Sequence, residues 1–426
     1  MSDALTVDHE IDEDSGLPIL SMPRDGLPAL VDTPQALDEC IASLGSGSGP
    51  VAIDTERAQS FRYSAKAYLL QFRRAGSGTW LIDPEAFEPA PGTVSDLGAL
   101  REALASAEWI IHAATQDLPC LVELGLWPHT LFDTELAGRL LGLDHVGLGH
   151  MVEHYFGLHL LKEHSAADWS TRPLPRDWIA YAALDVELLV ELRDKIRAEL
   201  AEVGKLEWAA QEFAHLARAC RLPVPARKEP WRRTHGTHTV HSRRGLALVR
   251  ALWTERDEIA RALDKAPGKI VPDKAITELA AKVVKDDAPV PGARELDSVM
   301  GFHYRIAKQH RDRWLKACEQ TAALPAGELP SLHAVHDGPP QPRSWQRTRP
   351  EAWDRWQRIR PAANALAEQL VMPSENLVSP DALRRLAWDP LPSNDEQSID
   401  ARLAEYEVRP WQRALLDPVL GAALRA

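Results

Sequence analysis

The sequence predicts an α/β domain of about 200 residues followed by two small all-helical units, and three observations carry that expectation. From Val51 onwards, short apolar runs bounded by Gly, Ser and acids alternate with segments of helical period. Residues 175–200 carry Trp178, Tyr181, Ala182, Leu188, Leu189, Leu192 and Ile196 at helical spacing. Residues 246–320 and 351–426 read as diverged copies of one helical unit, with Arg256–Ala262 corresponding to Arg360–Leu366 and Ile270–Ala275 to Leu377–Ala382.

Composition bounds the rest. The chain has 426 residues, 45% apolar and 26% charged, enough for two or three domains with buried cores. A net charge of −13 excludes nucleic-acid binding through overall charge and leaves it to local basic patches. Cys40, Cys120, Cys220 and Cys318 stand apart, without zinc spacing or a disulfide framework, as expected of reduced thiols in a cytoplasmic protein. The acidic N-terminus is unlike a signal peptide, and no apolar run approaches about 18 residues, so a secreted or membrane-spanning chain is not expected.

Taken in order, residues 1–26 lack periodicity and predict a mobile acidic leader. Thr33-Pro34 reads as a helix cap with proline at the first helical position, and Gly45–Gly49 delivers the chain to a strand at Val51–Arg57. Ala67–Phe72 and Thr79–Asp83 complete an antiparallel meander. Leu97–Leu104 is helical in period, Glu108–Ala113 is a buried strand, and Thr115 is placed to cap a helix with Asp117 in its first turn. Leu131–Glu135 is expected to open another helix, and residues 175–200 a single long one.

Asp54 and Glu56 end the Val51 strand one residue apart and so share a side. Like charges at that spacing raise each other's pKa, and a divalent cation between them reverses the penalty. In isolation such a pair is more often solvated, Asp117 is explained by its helix dipole, and Tyr181 by half-burial. Tyr181 and Asp185, four residues apart, lie on one helical face. Together, four carboxylates from three elements suit two hard divalent ions, Mg²⁺ or Mn²⁺, and phosphodiester hydrolysis.

These motifs resemble the DEDD superfamily of 3′–5′ exonucleases, in its tyrosine subgroup, and within it the ribonuclease D family. They are Asp54-Thr55-Glu56, His112–Asp117 with Phe132-Asp133-Thr134, and Tyr181–Asp185 preceded by Lys162–Ser165 and Asp168-Trp169-Ser170. The resemblance implies a ribonuclease H-like mixed sheet flanked by helices. It implies that Asp54 bridges both ions, that Glu56 and Asp185 complete the first, and that Asp117 holds the second largely through water. Tyr181 would orient the attacking water and nucleoside 5′-monophosphates would be released. Tyr63 and Gln71, at family-like distances from the first motif, are expected nucleic-acid contacts. Arg57 departs from the apolar or aromatic residue often found after the first motif.

The resemblance places the exonuclease domain at 27–222. Residues 223–245 form a basic linker in which Arg227, Lys228, Arg232, Arg233, Arg243 and Arg244 either contact phosphates or are simply solvated. Residues 246–322 resemble an HRDC domain, 323–350 a Pro-rich linker, and 351–426 a second, diverged HRDC copy. HRDC units imply nucleic-acid contact, yet the acids of the second copy (Asp395, Glu396, Asp400, Glu405, Glu407) also suit packing on the first copy or a protein partner. The expected function is trimming of structured RNA 3′ ends such as those of tRNA precursors. The alternatives are a DNA exonuclease, since only contacts to the 2′-hydroxyl discriminate, and a non-catalytic binder, which the presence of all four acids disfavours. With the acids before residue 200 and the repeats after 245, a fragment ending near Arg221 is expected to keep the chemistry.

Overall fold

Strand pairing centres on the segment that carries the first acids. The computed structural model describes residues 11–90, 92–161, 164, 166–333, 338–393 and 395–425. Lys162, Glu163 and Ser165, quoted ahead of the third motif, lie outside them, as do residues 1–10 of the expected leader. The strands are β1 (Ile19–Leu20), β2 (Leu30–Val31), β3 (Ser48–Arg57), β4 (Ala67–Ala75), β5 (Gly78–Ile82), β6 (Glu108–Ile111), β7 (Thr130–Asp133) and β8 (His159–Leu160). Six of them form a mixed sheet in the order β2-β5-β4-β3-β6-β7, with β3, β4 and β5 as the expected antiparallel meander and β6 and β7 parallel to β3. Val51, Ala52 and Ile53 are fully buried, as a central strand covered on both faces requires.

Helices α1 (Pro34–Ser46), α2 (Gly98–Ala103), α3 (Leu118–Glu123), α4 (Thr134–Leu141), α5 (Leu148–Phe156), α6 (Arg176–Glu187), α7 (Leu189–Glu202) and α8 (Leu206–Ala219) complete this domain. Thr33 caps α1 by accepting from the Ala36 N–H, and Pro34 takes the first turn, as the sequence predicts. Three local expectations are corrected. Leu131-Phe132-Asp133 is strand, not helix, because it pairs with β6, and α4 starts only after Asp133 caps it. Asp117, not Thr115, occupies the N-cap of α3. The long helix breaks at Leu188 into α6 and α7, so its apolar stripe serves two directions.

The described part of the leader is ordered. Leu20 is fully buried in a strand paired with β8, and Arg24 reaches Glu187 at 2.5 Å, so residues 18–25 belong to the exonuclease domain.

The two helical units share a succession of elements. Arg243–Leu263, Pro267–Ile270 and Asp273–Ala281 in the first match Pro350–Gln369, Ser374–Leu377 and Pro380–Trp388 in the second, with identical lengths for the four-residue and nine-residue helices. Their placements differ. The first unit has its own core, to which Tyr63 adds its ring. It grips the loop after β3: Tyr63 donates to Asp257, the Ser64 N–H donates to Asp264 at 3.0 Å, and the Ala266 N–H donates to the Phe61 carbonyl.

The second unit shares one continuous core with the exonuclease sheet. Trp411 stacks on Trp208 at 4.9 Å and donates to Glu212, which also pairs with Arg409 at 2.8 Å. The ammonium of Lys205 binds the carbonyls of Leu140, Leu370 and Val371, tying α4 to the second unit. Gly142, at φ 80°, stands so close to Val371 that an added Cβ would lie 2.3 Å from its carbonyl oxygen. The second unit therefore packs on the exonuclease domain rather than on the first copy. Three of its acids are used internally, Asp400 by Arg413, Glu405 by Arg402 and Asp395 as a helix cap. A cut near Arg221 would remove Trp411 from Trp208 and both Trp411 and Arg409 from Glu212.

Trp411→Ala removes both the stack and the Glu212 hydrogen bond. It is expected to destabilise the protein by about 3 kcal/mol or more, read as a lower urea midpoint by circular dichroism.

Candidate active site

The pairing of β3 with β6 ends at Ile53 and Ile111, whereas its pairing with β4 continues to Arg57. Asp54, Thr55, Glu56 and Arg57 thus line a notch beyond the end of β6. The chain leaving β6 turns sharply there, with Ala113 in the left-handed region at φ 58°. Asp133 holds that turn. Its carboxylate accepts from the Ala113 and Ala114 N–H groups at 3.1 and 2.9 Å while capping α4 through the Glu135 and Leu136 N–H groups. Burial pushes its pKa up to about 6, against the pull of those donors. The turn delivers Asp117 to the notch.

Helix α6 brings the remaining groups. Tyr181 and Asp185 lie one turn apart, and two residues beyond Asp185 the fully buried Glu187 is clamped by Arg24 and, at 3.3 Å, by Arg73 of β4. A buried carboxylate needs such pairing, and here it also fixes the end of α6 against the sheet. Tyr181 packs against the buried Trp169 at 6.2 Å between ring centroids, and His164 meets it edge-on.

One carboxylate oxygen from each of Asp54, Glu56 and Asp185 lies within 4.8 Å of the others. Burial, with mutual repulsion added, pushes Asp54 and Glu56 well above the ordinary carboxylate range. Asp117 stands beside them, its Oδ1 accepting from the Thr55 hydroxyl at 2.7 Å and facing the Arg57 guanidinium at 3.4 Å. Burial raises it to about 6, opposed by Thr55 and Arg57. Tyr181 is likewise raised, by burial first and then by Asp185, Glu56 and Asp54, and its hydroxyl hydrogen-bonds to Asp185. It therefore stays protonated at neutral pH, a donor aimed into the acids.

The donor set fits hard divalent ions: it is all oxygen, at least partly buried and mutually repulsive. Gln71 adds to that fit. It sits directly across from Asp54 on β4, on the same face, with both amide atoms buried and unpartnered in the protein. Because Gln71 has no exposed surface, its expected role as a nucleic-acid contact is corrected to an interior one beside the acids.

Several other expected nucleic-acid contacts are committed elsewhere. The Tyr63 hydroxyl binds Asp257 and its ring faces Arg261, so it joins two domains. Arg232 pairs with Glu229 and the Ser331 carbonyl. Arg243 binds the carbonyls of Ala326, Leu329 and Pro330, and Arg244 those of Asp286, Thr321, Ala322 and Leu324. These arginines staple the first helical unit and are corrected from phosphate ligands to structural groups. Arg227, Lys228 and Arg233 remain exposed. The roles of Thr55, Asp133 and the Arg24–Glu187 pair were missed. Only Asp133 left a signal, as an Asp-Thr at the junction between an apolar run and a helical period.

Residues 28–201 match a family model described as 3′-5′ exonuclease, 245–318 one for the HRDC domain, and 338–424 one for a 3′ to 5′ exonuclease C-terminal domain. The last is separate from the HRDC model matched by the first unit. A ribonuclease D from Acidiphilium cryptum is 34% identical over 333 residues, covering 76% of this chain and 78% of the relative. One from Pseudomonas paraeruginosa is 27% identical over 88% of this chain and 92% of its own length. A crystal structure of a protein from Bifidobacterium adolescentis superposes with TM-score 0.83 at 38% identity, over 96% of this chain and 99% of that one. The Escherichia coli ribonuclease D structure shares the fold, with TM-score 0.65 at 24% identity over 93% and 98%.

A mixed sheet with acids at the end of its central strand, matched by that exonuclease model, defines a nucleic-acid-binding 3′–5′ exonuclease. The chain belongs to the ribonuclease D family and is a 3′–5′ exoribonuclease. Among the described residues, no helix is long and apolar enough to cross a membrane.

The raised Asp117 has a consequence for stability. Its folded-state pKa of about 6 exceeds the ordinary 3.8, so between those values the folded protein holds a proton that the unfolded chain has lost. Stability from this group therefore falls as pH rises from about 4 through 6. Without metal, Asp117→Asn should lose less thermal stability than the wild type over that interval, as measured by melting temperature in EDTA.

Proposed function

We propose that this enzyme trims the 3′ ends of structured RNA with two divalent ions, Mg²⁺ or Mn²⁺, held by Asp54, Glu56, Asp117 and Asp185. The observation that carries the reading is the meeting of three carboxylates within 4.8 Å, with Asp117 and the Tyr181 hydroxyl beside them. The ions, when bound, lower the pKa of a water and stabilise the leaving 3′-oxygen.

Everything else is done by the chain. Asp54 would serve both ions, Glu56 and Asp185 the first, and Asp117 the second. The Tyr181 hydroxyl, kept protonated by burial and then by the neighbouring acids, orients the water for in-line attack. Asp185, hydrogen-bonded to that hydroxyl, fixes its direction. The product is a nucleoside 5′-monophosphate.

A preference for structured RNA is supported by the first helical unit, which clasps the loop leaving β3 and places a second surface next to the site. Exposed Arg227, Lys228 and Arg233 lie just ahead of it and supply phosphate contacts. A cytoplasmic location, where RNA precursors reside, accords with four free cysteines. DNA hydrolysis is the competing reading, because the acids recognise the phosphodiester and not the sugar.

Side-by-side digestion of 3′-labelled RNA and DNA with Mg²⁺, Mn²⁺ or EDTA tests this. RNA should be shortened stepwise to 5′-monophosphates and EDTA should stop it, whereas faster loss of DNA would overturn the RNA assignment. Asp54→Asn should abolish nearly all hydrolysis while keeping RNA affinity. Tyr181→Phe should be slowed about 10²–10⁴-fold yet remain active, and a wild-type rate would return Tyr181 to packing alone.

A further inference from the structure

We infer that Arg57 competes with the second divalent ion for Asp117 and is drawn off by the substrate phosphate, so that second-ion binding and nucleotide binding are coupled. The inference rests on the two-ion reading above.

The geometry begins with Asp117. Its Oδ1 has two polar neighbours, the Thr55 hydroxyl at 2.7 Å and the Arg57 guanidinium at 3.4 Å. The other arm of the guanidinium donates to the Gln116 carbonyl, which holds it across the mouth of the notch. Among the described residues, Arg57 is the cation whose field reaches Asp54, Glu56 and Asp117. These three acids thus share a positive neighbour, and it sits on the acid assigned to the second ion. A dication bound at Asp117 would lie within a few ångströms of that guanidinium, and like charges so close in a buried site repel strongly. The Arg57–Asp117 pair and a filled second position therefore oppose each other.

Arg57 has somewhere to go. Its side chain is only 20% exposed and borders a cavity of about 230 Å³ lined also by Glu56, Gln59, Ser60, Phe61 and Ala167. Apart from Glu56, those neighbours carry no charge, so a phosphate entering beside Glu56 offers the better partner. A guanidinium fork binds phosphate with two parallel hydrogen bonds, a stronger contact than one angled ion pair at 3.4 Å. Release of Asp117 and capture of phosphate then become one movement. Since coupling is reciprocal, the second ion tightens nucleotide binding by the same factor as nucleotide tightens the ion. Before substrate arrives the enzyme has one strong ion position, and it acquires the second with its substrate.

The test uses full-length wild type, Arg57→Met and Arg57→Lys, with MnCl₂ as the ion and adenosine 5′-monophosphate as an uncleavable phosphate ligand. Free Mn²⁺ is followed by electron paramagnetic resonance during titration. In the wild type the second ion should bind roughly tenfold or more weakly than the first, and adenosine 5′-monophosphate should narrow the gap. In Arg57→Met the gap should be small from the start and unmoved by the nucleotide, which should itself bind more weakly. Arg57→Lys, retaining the charge, should restore the gap. A brace needing both guanidinium arms would not be restored by lysine, and that result would overturn the inference. Equal gaps and equal nucleotide effects in wild type and Arg57→Met would overturn it alone, leaving the two-ion reading intact. Absence of Mn²⁺ binding from all three proteins would remove both.

Discussion

Carboxylates cannot be crowded into a protein interior unless each is held against the repulsion of the others, and that requirement organises this molecule. Asp54 and Glu56 are fixed by a central strand, the most constrained element available, with neighbours on both sides up to Ile53. Asp117 and Asp185 have no such support from a sheet. Each is instead secured by a second carboxylate that takes no part in the cluster: Asp133 fastens the turn before α3, and Glu187 fastens the end of α6. Acids near the site thus divide into those grouped together, whose charge is available to a cation, and those held by arginines or backbone N–H groups, whose charge is consumed in positioning.

The supporting contacts come from far along the chain. Arg24, ahead of the sheet, pairs with Glu187, and the first helical unit holds the loop that follows Glu56. A fixed loop beside the acids is needed if the terminal nucleotide is to meet the same geometry in every cycle, since small displacements of reacting groups lower rates steeply. The second unit plays a different part. It shares its core with the sheet and acts through Lys205 and Trp411 on α4 and α8, the layer behind the active notch.

What could be read from the sequence followed the range of the interactions involved. The meander, the first helix cap, the catalytic motifs and the two helical units are each written in local periodicity or spacing, and all are present. The features misread depend on partners distant in sequence. Leu131–Asp133 is strand only because β6 lies alongside, and the acidic leader is ordered in part because Arg24 meets a glutamate 163 residues away. The basic tract misled for the same reason: Arg243 and Arg244 look like phosphate ligands until the carbonyls of residues 321–330 are seen to occupy them. For Arg57 the motif was plain and the role was not, because the partner, Asp117, lies on another element.

The shared core of the exonuclease sheet and the second helical unit sets an order on biosynthesis. Trp411 covers apolar surface supplied by Trp208 of α8, a helix completed some two hundred residues earlier. During translation that surface stays open until the closing helix has been made. A nuclease assembled this way does not complete that core until synthesis has passed Trp411, long after the sheet and its acids have been made.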